Sequence, residues 1–381
     1  MDFRLTKEEE TFKEAIRDFA EKEMAPLVDE AEAKEEFPVE LFRKAGDLGY
    51  LCVSYPKEYG ALGLSKICEG ISIEEMARIS VGLTSALMVQ GGIATSLICD
   101  YGSTAQKQNY LIPAIKGRKI GGYALTERDA GSDPSMMKTT ATEEGHYYIL
   151  SGSKMFTTNG PIADFITTTA WTDKGKGFRG GMSIFLVDSN TPGFTAKKLN
   201  KMCIRSSPTG EEFFDNCLIS KYNLLGEEGK GWDYALKALD NGRMLHAFTS
   251  IGLAQAAYER SRDYALERIQ YGQAIVKFQD IGSKLANMLV QIEAARALAY
   301  KIAWKYDQKE EGPAEAAMSK LFASEVATKV TSEAMQIFGG YGLLADSIIE
   351  RLFRDSRRSP ITEGTSEIQR MIIARAIRRK T

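Results

Sequence analysis

Phe165-Ile166-Thr167-Thr168-Thr169-Ala170-Trp171 is a short run of β-branched and aromatic residues, and its reading decides the fold. Similar runs lie on either side, Tyr147 to Leu150 and Met182 to Val187. Turn-forming segments such as Ser151-Gly152-Ser153 and Thr191-Pro192-Gly193 punctuate them. Together they predict a small antiparallel β-domain over residues 119–228.

Outward from this centre the period becomes helical. In residues 1–118, Thr6 and Glu9 have the spacing of a capping box, and Phe12, Ile16 and Phe19 then fall on one helical face. Glycines at Gly60 to Gly63 separate the next helices, and the uncharged stretch Val81 to Cys99 reads as a deeply buried helix. In residues 229–381 one helix runs from Trp232 to about Ile269, a length that favours a bundle. The expected class is α+β: an N-terminal helical domain, a middle antiparallel β-domain and a C-terminal four-helix bundle. No internal repeat or low-complexity tract interrupts it.

The chain has 381 residues, which suggests roughly two or three domains. Lys and Arg number 49 against 51 Asp and Glu, so the overall charge gives no case for nucleic acid. Local basic stretches remain, at Arg354 to Arg358 and Arg375 to Lys380. The five cysteines are scattered and form no Cys-x-x-Cys pair, which favours neither zinc nor a disulfide framework and points to a reducing compartment. The start shows no signal-peptide pattern, and no stretch reads as apolar enough to cross a bilayer. A cytoplasmic protein without a membrane partner is expected.

No Gly-x-Gly-x-x-Gly turn in a βαβ setting and no phosphate-cradling Gly-x-x-x-x-Gly-Lys loop occurs. Gly226 to Gly231 reads as a connector. The two histidines, His146 and His246, form no zinc pair or triad, so no metal is expected and acid–base chemistry falls to carboxylates.

Four segments bear on that chemistry: Tyr123-Ala124-Leu125-Thr126-Glu127 with Gly131-Ser132-Asp133; Lys154-Met155-Phe156-Thr157-Thr158-Asn159-Gly160; Gln336-Ile337-Phe338-Gly339-Gly340; and Glu363-Gly364-Thr365-Ser366-Glu367-Ile368-Gln369. In this order, on a helix–β–helix chain, they resemble the acyl-CoA dehydrogenase family over essentially its whole length. The resemblance implies FAD and dehydrogenation of an acyl-CoA thioester to the 2-enoyl-CoA.

Glu363 is the implied catalytic base. A carboxylate at a loop-to-helix junction can be held in an apolar pocket, where desolvation raises its pKa. The bland reading is a helix-start carboxylate favoured by the dipole. The thioester carbonyl also needs polarising as the enolate develops. The family uses the amide of this glutamate and a flavin ribityl hydroxyl. Some relatives carry the base on the long helix, before a conserved arginine. Here that residue is Gly242, before Arg243, which disfavours the isovaleryl and long-chain arrangement.

For the flavin ring the resemblance implies Tyr123, Leu125, Thr126, Gly131, Ser132, Phe156, Thr157 and Thr158, with Thr365 and Glu367. Phe156 stands where the family usually has tryptophan, which keeps stacking but loses an indole hydrogen bond. Arg268, Gln270, Gln279, Gln336, Phe338, Gly339 and Gly340 match positions that reach the pyrophosphate and adenine from a neighbouring subunit. A homo-oligomer, at least a dimer and commonly a dimer of dimers, follows from that. Ser132, Asp240, Arg243, Gly364 and Arg375 match CoA-contacting positions, although Arg243 also has a structural reading.

The acyl pocket floor is expected from the helix around Leu83 to Cys99, which carries no Lys, Arg or His to neutralise a second carboxylate. Gly91-Gly92 costs about 1 kcal/mol per glycine relative to alanine. The pair makes room either for a bulky acyl chain or for close helix packing. The expectation is a short, branched or alicyclic acyl-CoA, with electron-transfer flavoprotein as acceptor. The alternatives are a glutaryl- or benzylsuccinyl-type enzyme, an oxidase, which would carry a further C-terminal domain beyond Thr381, and a non-catalytic flavin-binding relative.

Overall fold

The computed structural model describes residues 4–310 and 312–378. The first helix, Lys7–Phe19, starts at the expected capping box: Glu9 N–H donates to the Thr6 hydroxyl at 3.2 Å and Thr6 N–H to Glu9 Oε2 at 2.7 Å. Phe12, Ile16 and Phe19 are its buried face. Helix Lys66–Ile79 follows, and then the apolar segment Val81–Val89, the π-turn Gln90–Ala94 and Ser96–Tyr101.

This apolar segment corrects one expectation. Val81–Tyr101 is long and apolar enough by composition to cross a membrane. It is instead almost wholly buried inside the fold, where a helix covered on all sides is apolar all round.

Seven strands follow: β1 Gly121–Ala124, β2 Thr140–Glu144, β3 Tyr147–Thr158, β4 Phe165–Trp171, β5 Met182–Asp188, β6 Phe194–Lys198 and β7 Thr209–Ser220. Pairings β2–β3, β3–β7, β4–β5 and β6–β7 are antiparallel. β4 instead runs parallel to β1, from Gly121↔Phe165 to Ala124↔Thr168, and meets β2 in parallel at Thr140↔Trp171. A loop and β2–β3 intervene between β1 and β4, enough chain for a parallel return. Every residue of β4 is buried, which is why its sequence shows no polar alternation.

The long helix Gly231–Glu267 is the spine of the C-terminal part. Gln279–Asp307, Pro313–Phe338, Ile348–Ser356 and Ser366–Arg378 complete that part. The long helix packs against Gln279–Asp307 and Pro313–Phe338, and equally against Lys66–Ile79 from the N-terminal part. One continuous apolar core therefore joins the two helical regions, from Ile16 and Phe42 to Phe248 and Ile292. Arg296 adds an ion pair across the join, with Nε 2.8 Å from Glu74 Oε1.

Inside the β-domain, fully buried Lys154 on β3 donates to Glu127 Oε1 at 2.9 Å, Leu125 O at 3.1 Å and the Thr169 hydroxyl at 3.2 Å. Glu127 also accepts from Lys138 N, Thr139 N and the Thr139 hydroxyl. Those bonds and the Lys154 charge hold the Glu127 carboxyl below its usual range against burial, while burial pulls Lys154 down to about 8. Removing the cation strands a buried carboxylate, so Lys154→Met should lower unfolding stability by about 3–5 kcal/mol. Denaturant unfolding of the full chain measures it, and Lys154→Met with Glu127→Leu should recover much of the loss.

Candidate active site

Glu363 sits in the loop between helices Ile348–Ser356 and Ser366–Arg378, with φ 56°, followed by Gly364 at φ 83°. A non-glycine residue in the left-handed region is strained by about 1–3 kcal/mol and persists only where its surroundings enforce it. Here they do. Lys320 Nζ donates to Gly364 O at 2.8 Å, and Gln369 Nε2 donates to Glu363 O at 3.0 Å and Gly364 O at 2.8 Å. Earlier in the loop, Ile361 and Thr362 N–H donate to Arg358 O, and Ser366 N–H donates to Pro360 O, all at 2.9 Å. The Thr365 hydroxyl caps the final helix by accepting from Ile368 N–H at 3.3 Å.

Glu363 as a whole is only partly buried, yet its Oε2 is sealed from solvent and has no hydrogen-bond partner. Burial lifts the carboxyl above its ordinary range, opposed by the charges of Arg243, Lys320 and Arg358. Lys320 is itself pulled down to about 8 by burial. An isolated carboxylate with raised basicity, facing apolar Ile93, is equipped to take a proton from carbon.

Gly242 explains how the carboxylate fits. A Cβ there would stand 2.8 Å from Glu363 Oε2 and 2.8 Å from Ile93 Cδ1. The long-helix position and the loop position thus address the same space, and this chain fills it from the loop. Beside it, Arg243 donates to Asp240 Oδ1 at 2.5 Å while its Nε has no partner.

The glycine pair at the pocket floor answers to packing. A Cβ on Gly91 would lie 2.1 Å from Leu51 O, and one on Gly92 would lie 2.6 Å from Leu245 Cδ1. The pair therefore allows close helix packing and does not make room for a bulky acyl chain. The helix passes these contacts as a π-turn, with Tyr55 donating to Gly91 O and the Thr95 hydroxyl donating to Gln90 O at 2.7 Å. Gln90 then ties the turn to β1, accepting from Gly121 N–H at 2.7 Å.

The other predicted residues divide by location. Phe156 is 63% exposed with φ 63°, at a β-bulge between Met155 and Thr157 that turns its ring out of the sheet. Thr158 and Thr126 are partly buried, and Met155 N–H donates to Thr126 O at 2.8 Å, so the two motif loops run side by side. Leu125 packs towards Trp171 and Met182, whereas Gly131 and Ser132 are exposed. Thr157 does not face outward with its neighbours. Its side chain is enclosed near Gly160 and beside the buried Glu212, so only its backbone is available on the outer face.

A cavity of about 830 Å³ gathers Arg268, Gln270, Phe338, Gly339 and Gly340, with Tyr264 and Tyr341. Tyr264 stacks on Phe338 with centroids 4.2 Å apart, and Arg268 lies over the Tyr341 ring at 5.5 Å. No residue of the sheet lines it. Gln336 is exposed on the helix before the cavity and Gln279 starts the adjoining one, and neither belongs to the lining. Glu367 and Arg375 are exposed on the last helix. The outward Phe156 ring and the arginine-bearing glycine cavity fit a flavin at one end and a diphosphate at the other. Among the described residues no cluster of His, Cys, Asp or Glu is arranged for a metal ion, and all five cysteines are free.

Three residues important to this geometry escaped the sequence reading. Lys320 lies on a helix face with Ala316, Ala317, Ala323 and Ser324, a lysine among small buried residues, and that pattern was the available signal. Gln369 lay inside the Glu363 motif and Arg358 at the end of a basic stretch, and neither residue type by itself marked a support for the loop.

This geometry belongs to a flavoprotein dehydrogenase, and the comparisons agree. Models of the acyl-CoA dehydrogenase N-terminal, middle and C-terminal domains match residues 6–118, 122–217 and 229–378. The chain belongs to the acyl-CoA dehydrogenase family. It is 40% identical over 375 residues to the short-chain specific acyl-CoA dehydrogenase of Clostridium acetobutylicum, covering 98% of this chain and 99% of that one. Butyryl-CoA dehydrogenase from Megasphaera elsdenii superposes with a TM-score of 0.96 at 39% identity, covering 99% and 100%. A chain solved in work on the electron transferring flavoprotein of Acidaminococcus fermentans gives 0.97 at 39% identity, covering 99% of each. The protein is an FAD-dependent oxidoreductase that dehydrogenates acyl-CoA thioesters.

Two outcomes test the site. Gly242→Ala should push Glu363 or Ile93 aside, costing about 1–3 kcal/mol of stability as an overpacked contact, with kcat/KM at least tenfold lower. Glu363 has a raised folded-state pKa, so its charged form weakens folding above that pKa and not below the unfolded value. Glu363→Gln should therefore raise the unfolding midpoint at neutral pH, and the gain should vanish as pH falls through the carboxylate range.

Proposed function

We propose that Glu363 takes the α-proton of a short-chain acyl-CoA. The observation that carries this is its sealed, unpartnered Oε2 against Gly242 and Ile93. Bound FAD supplies the acceptor for the hydride leaving the β-carbon. Phe156, Thr126 and Thr158 would meet the ring, with the Tyr123, Leu125, Gly131, Ser132 and Thr157 backbone around them. Arg268, Gln270, Phe338, Gly339 and Gly340 would hold the diphosphate end from a second copy of the chain. The separation of the cavity from the sheet supports that division, and with it an obligate dimer, paired further into a tetramer. Asp240 with Arg243, Ser132, Gly364 and Arg375 would contact CoA. The division into residues 1–118, 119–228 and 229–381 is part of the same reading.

The short acyl group rests on the short-chain and butyryl relatives, together with the close packing of Gly91 and Gly92. Electron-transfer flavoprotein as acceptor draws on the likeness to the Acidaminococcus chain. A cytoplasmic setting rests on the character of the sequence.

Anaerobic titration with acyl-CoA thioesters, from butyryl through isobutyryl, cyclohexanecarboxyl, glutaryl and octanoyl, tests the reading by flavin absorbance. Butyryl-CoA should bleach the flavin fastest, and Glu363→Gln should slow that bleaching by about 10²–10⁴-fold, the range for a general base. Bleaching by glutaryl-CoA alone would overturn the acyl assignment, and undiminished bleaching in Glu363→Gln would overturn the base.

A further inference from the structure

Gly242, which leaves room for the Glu363 carboxylate, has a neighbour on the same face of the long helix. His246 stands one turn further on, about 6 Å along the axis. It is fully buried, and its Nε2 lies 3.2 Å from Ser359 O, in the loop that carries Glu363. A carbonyl oxygen only accepts, so Nε2 bears the ring proton and donates it. Burial, with the charges of Arg358 and Lys320, holds the ring well below its usual pKa range, so it is neutral and fixed in this tautomer. A turn beyond, the Ser250 hydroxyl lies 3.3 Å from that of Ser359 and donates to His246 O at 3.0 Å.

The histidine is kept at a cost. Its Nδ1 is sealed from solvent without a partner among the described residues. An apolar side chain would fill the same place without stranding a polar atom. What the imidazole adds is a donor at Ser359 O, and the loop needs one at that end. After the base, Lys320 and Gln369 grip the carbonyls of Glu363 and Gly364. Before the base, Arg358 O and Pro360 O accept from Ile361, Thr362 and Ser366, all within the loop or at its exit. Ser359 O is where the long helix takes hold of that half.

We propose that His246 is a positioning residue for the base: by holding Ser359 O, one turn from Gly242, it sets the register of the loop against the gap that receives Glu363. Gap and grip belong to one helix, so their spacing is fixed by helix geometry and not by the loop. With the grip released, the turn at Glu363 and Gly364 keeps its shape but loses its seat, and the carboxylate is less often aimed at the α-carbon. This rests on Glu363 as the base.

Three variants grade the contact. His246→Gln brings an amide N–H within reach of Ser359 O, His246→Asn carries the same amide one methylene short, and His246→Leu has no donor. Each holoenzyme is mixed anaerobically with the best thioester of the panel, with and without deuterium at the α-carbon, and flavin bleaching is followed by stopped flow. His246→Leu and His246→Asn should bleach about tenfold slower, the rate equivalent of one lost hydrogen bond. Their α-deuterium isotope effect should rise, while flavin absorbance and the thioester concentration for half-maximal rate stay as in the parent. His246→Gln should keep the parent rate and isotope effect. Asparagine as fast as glutamine overturns the inference, and that pair decides it if the leucine variant does not fold. Equal slowing of all three also overturns it, because the imidazole is then only a packing group. So does a weaker half-saturation with the rate unmoved, which makes His246 a substrate contact. Glu363→Gln in the same assay keeps the failures apart: undiminished bleaching there sinks the base itself, whereas a slow Glu363→Gln beside His246→Leu at the parent rate sinks the histidine alone.

Discussion

A carboxylate oxygen sealed from water with no hydrogen-bond partner is an expensive thing for a protein to keep, and the arrangement around Glu363 is organised by that expense. Three cations face it without bonding to Oε2, so its charge is tolerated without its basicity being quenched. Lys320 and Gln369 act one step back, on the carbonyls of Glu363 and Gly364. They fix a left-handed backbone that would otherwise relax and swing the side chain away. The long helix contributes by what it lacks, a side chain at position 242.

The sheet solves a different problem, presenting two loops from separate strands at a common edge. Lys154 reaches the Leu125 carbonyl, Glu127 and Thr169 at once, so β3, β4 and the loop after β1 share one buried charge. With that anchor in place, a single bulge suffices to turn Phe156 outward. Rigidity behind a ring and freedom in front of it are the conditions for stacking a planar cofactor without reorganisation.

Much of this was legible in the sequence because local chemistry and the fold point the same way. The capping box at Thr6 and Glu9, the β-branched and aromatic β4 run and the helical period of the long helix are each local signals. Glu363 was legible through its motif, and Gly242 through its place before Arg243. What was hidden depends on contacts between distant segments. Gly91 and Gly92 read equally well as space or as packing until Leu51 and Leu245 were seen against them. The parallel pairing of β1 leaves no mark in four residues, and the phase change at Phe156 is a matter of register. A lysine in a helix reads as a solvated face, which concealed Lys320.

The buried segment Val81–Tyr101 has a consequence for how the chain comes to be folded. Leu51 and Tyr55 before it cover one side, but the rest of its cover is made by residues that follow at a distance: Thr167 on Ala94, Asn241 on Gly92 at 2.8 Å, and Leu245 beside Gly92. A chain emerging from the ribosome therefore leaves this helix, apolar but for Asp100 near its end, partly uncovered until more than half of the polypeptide has been made. During that interval the segment is the natural target for chaperones and the natural nucleus for aggregation. Slow points in translation before residue 245 would bear on yield more heavily than any after it.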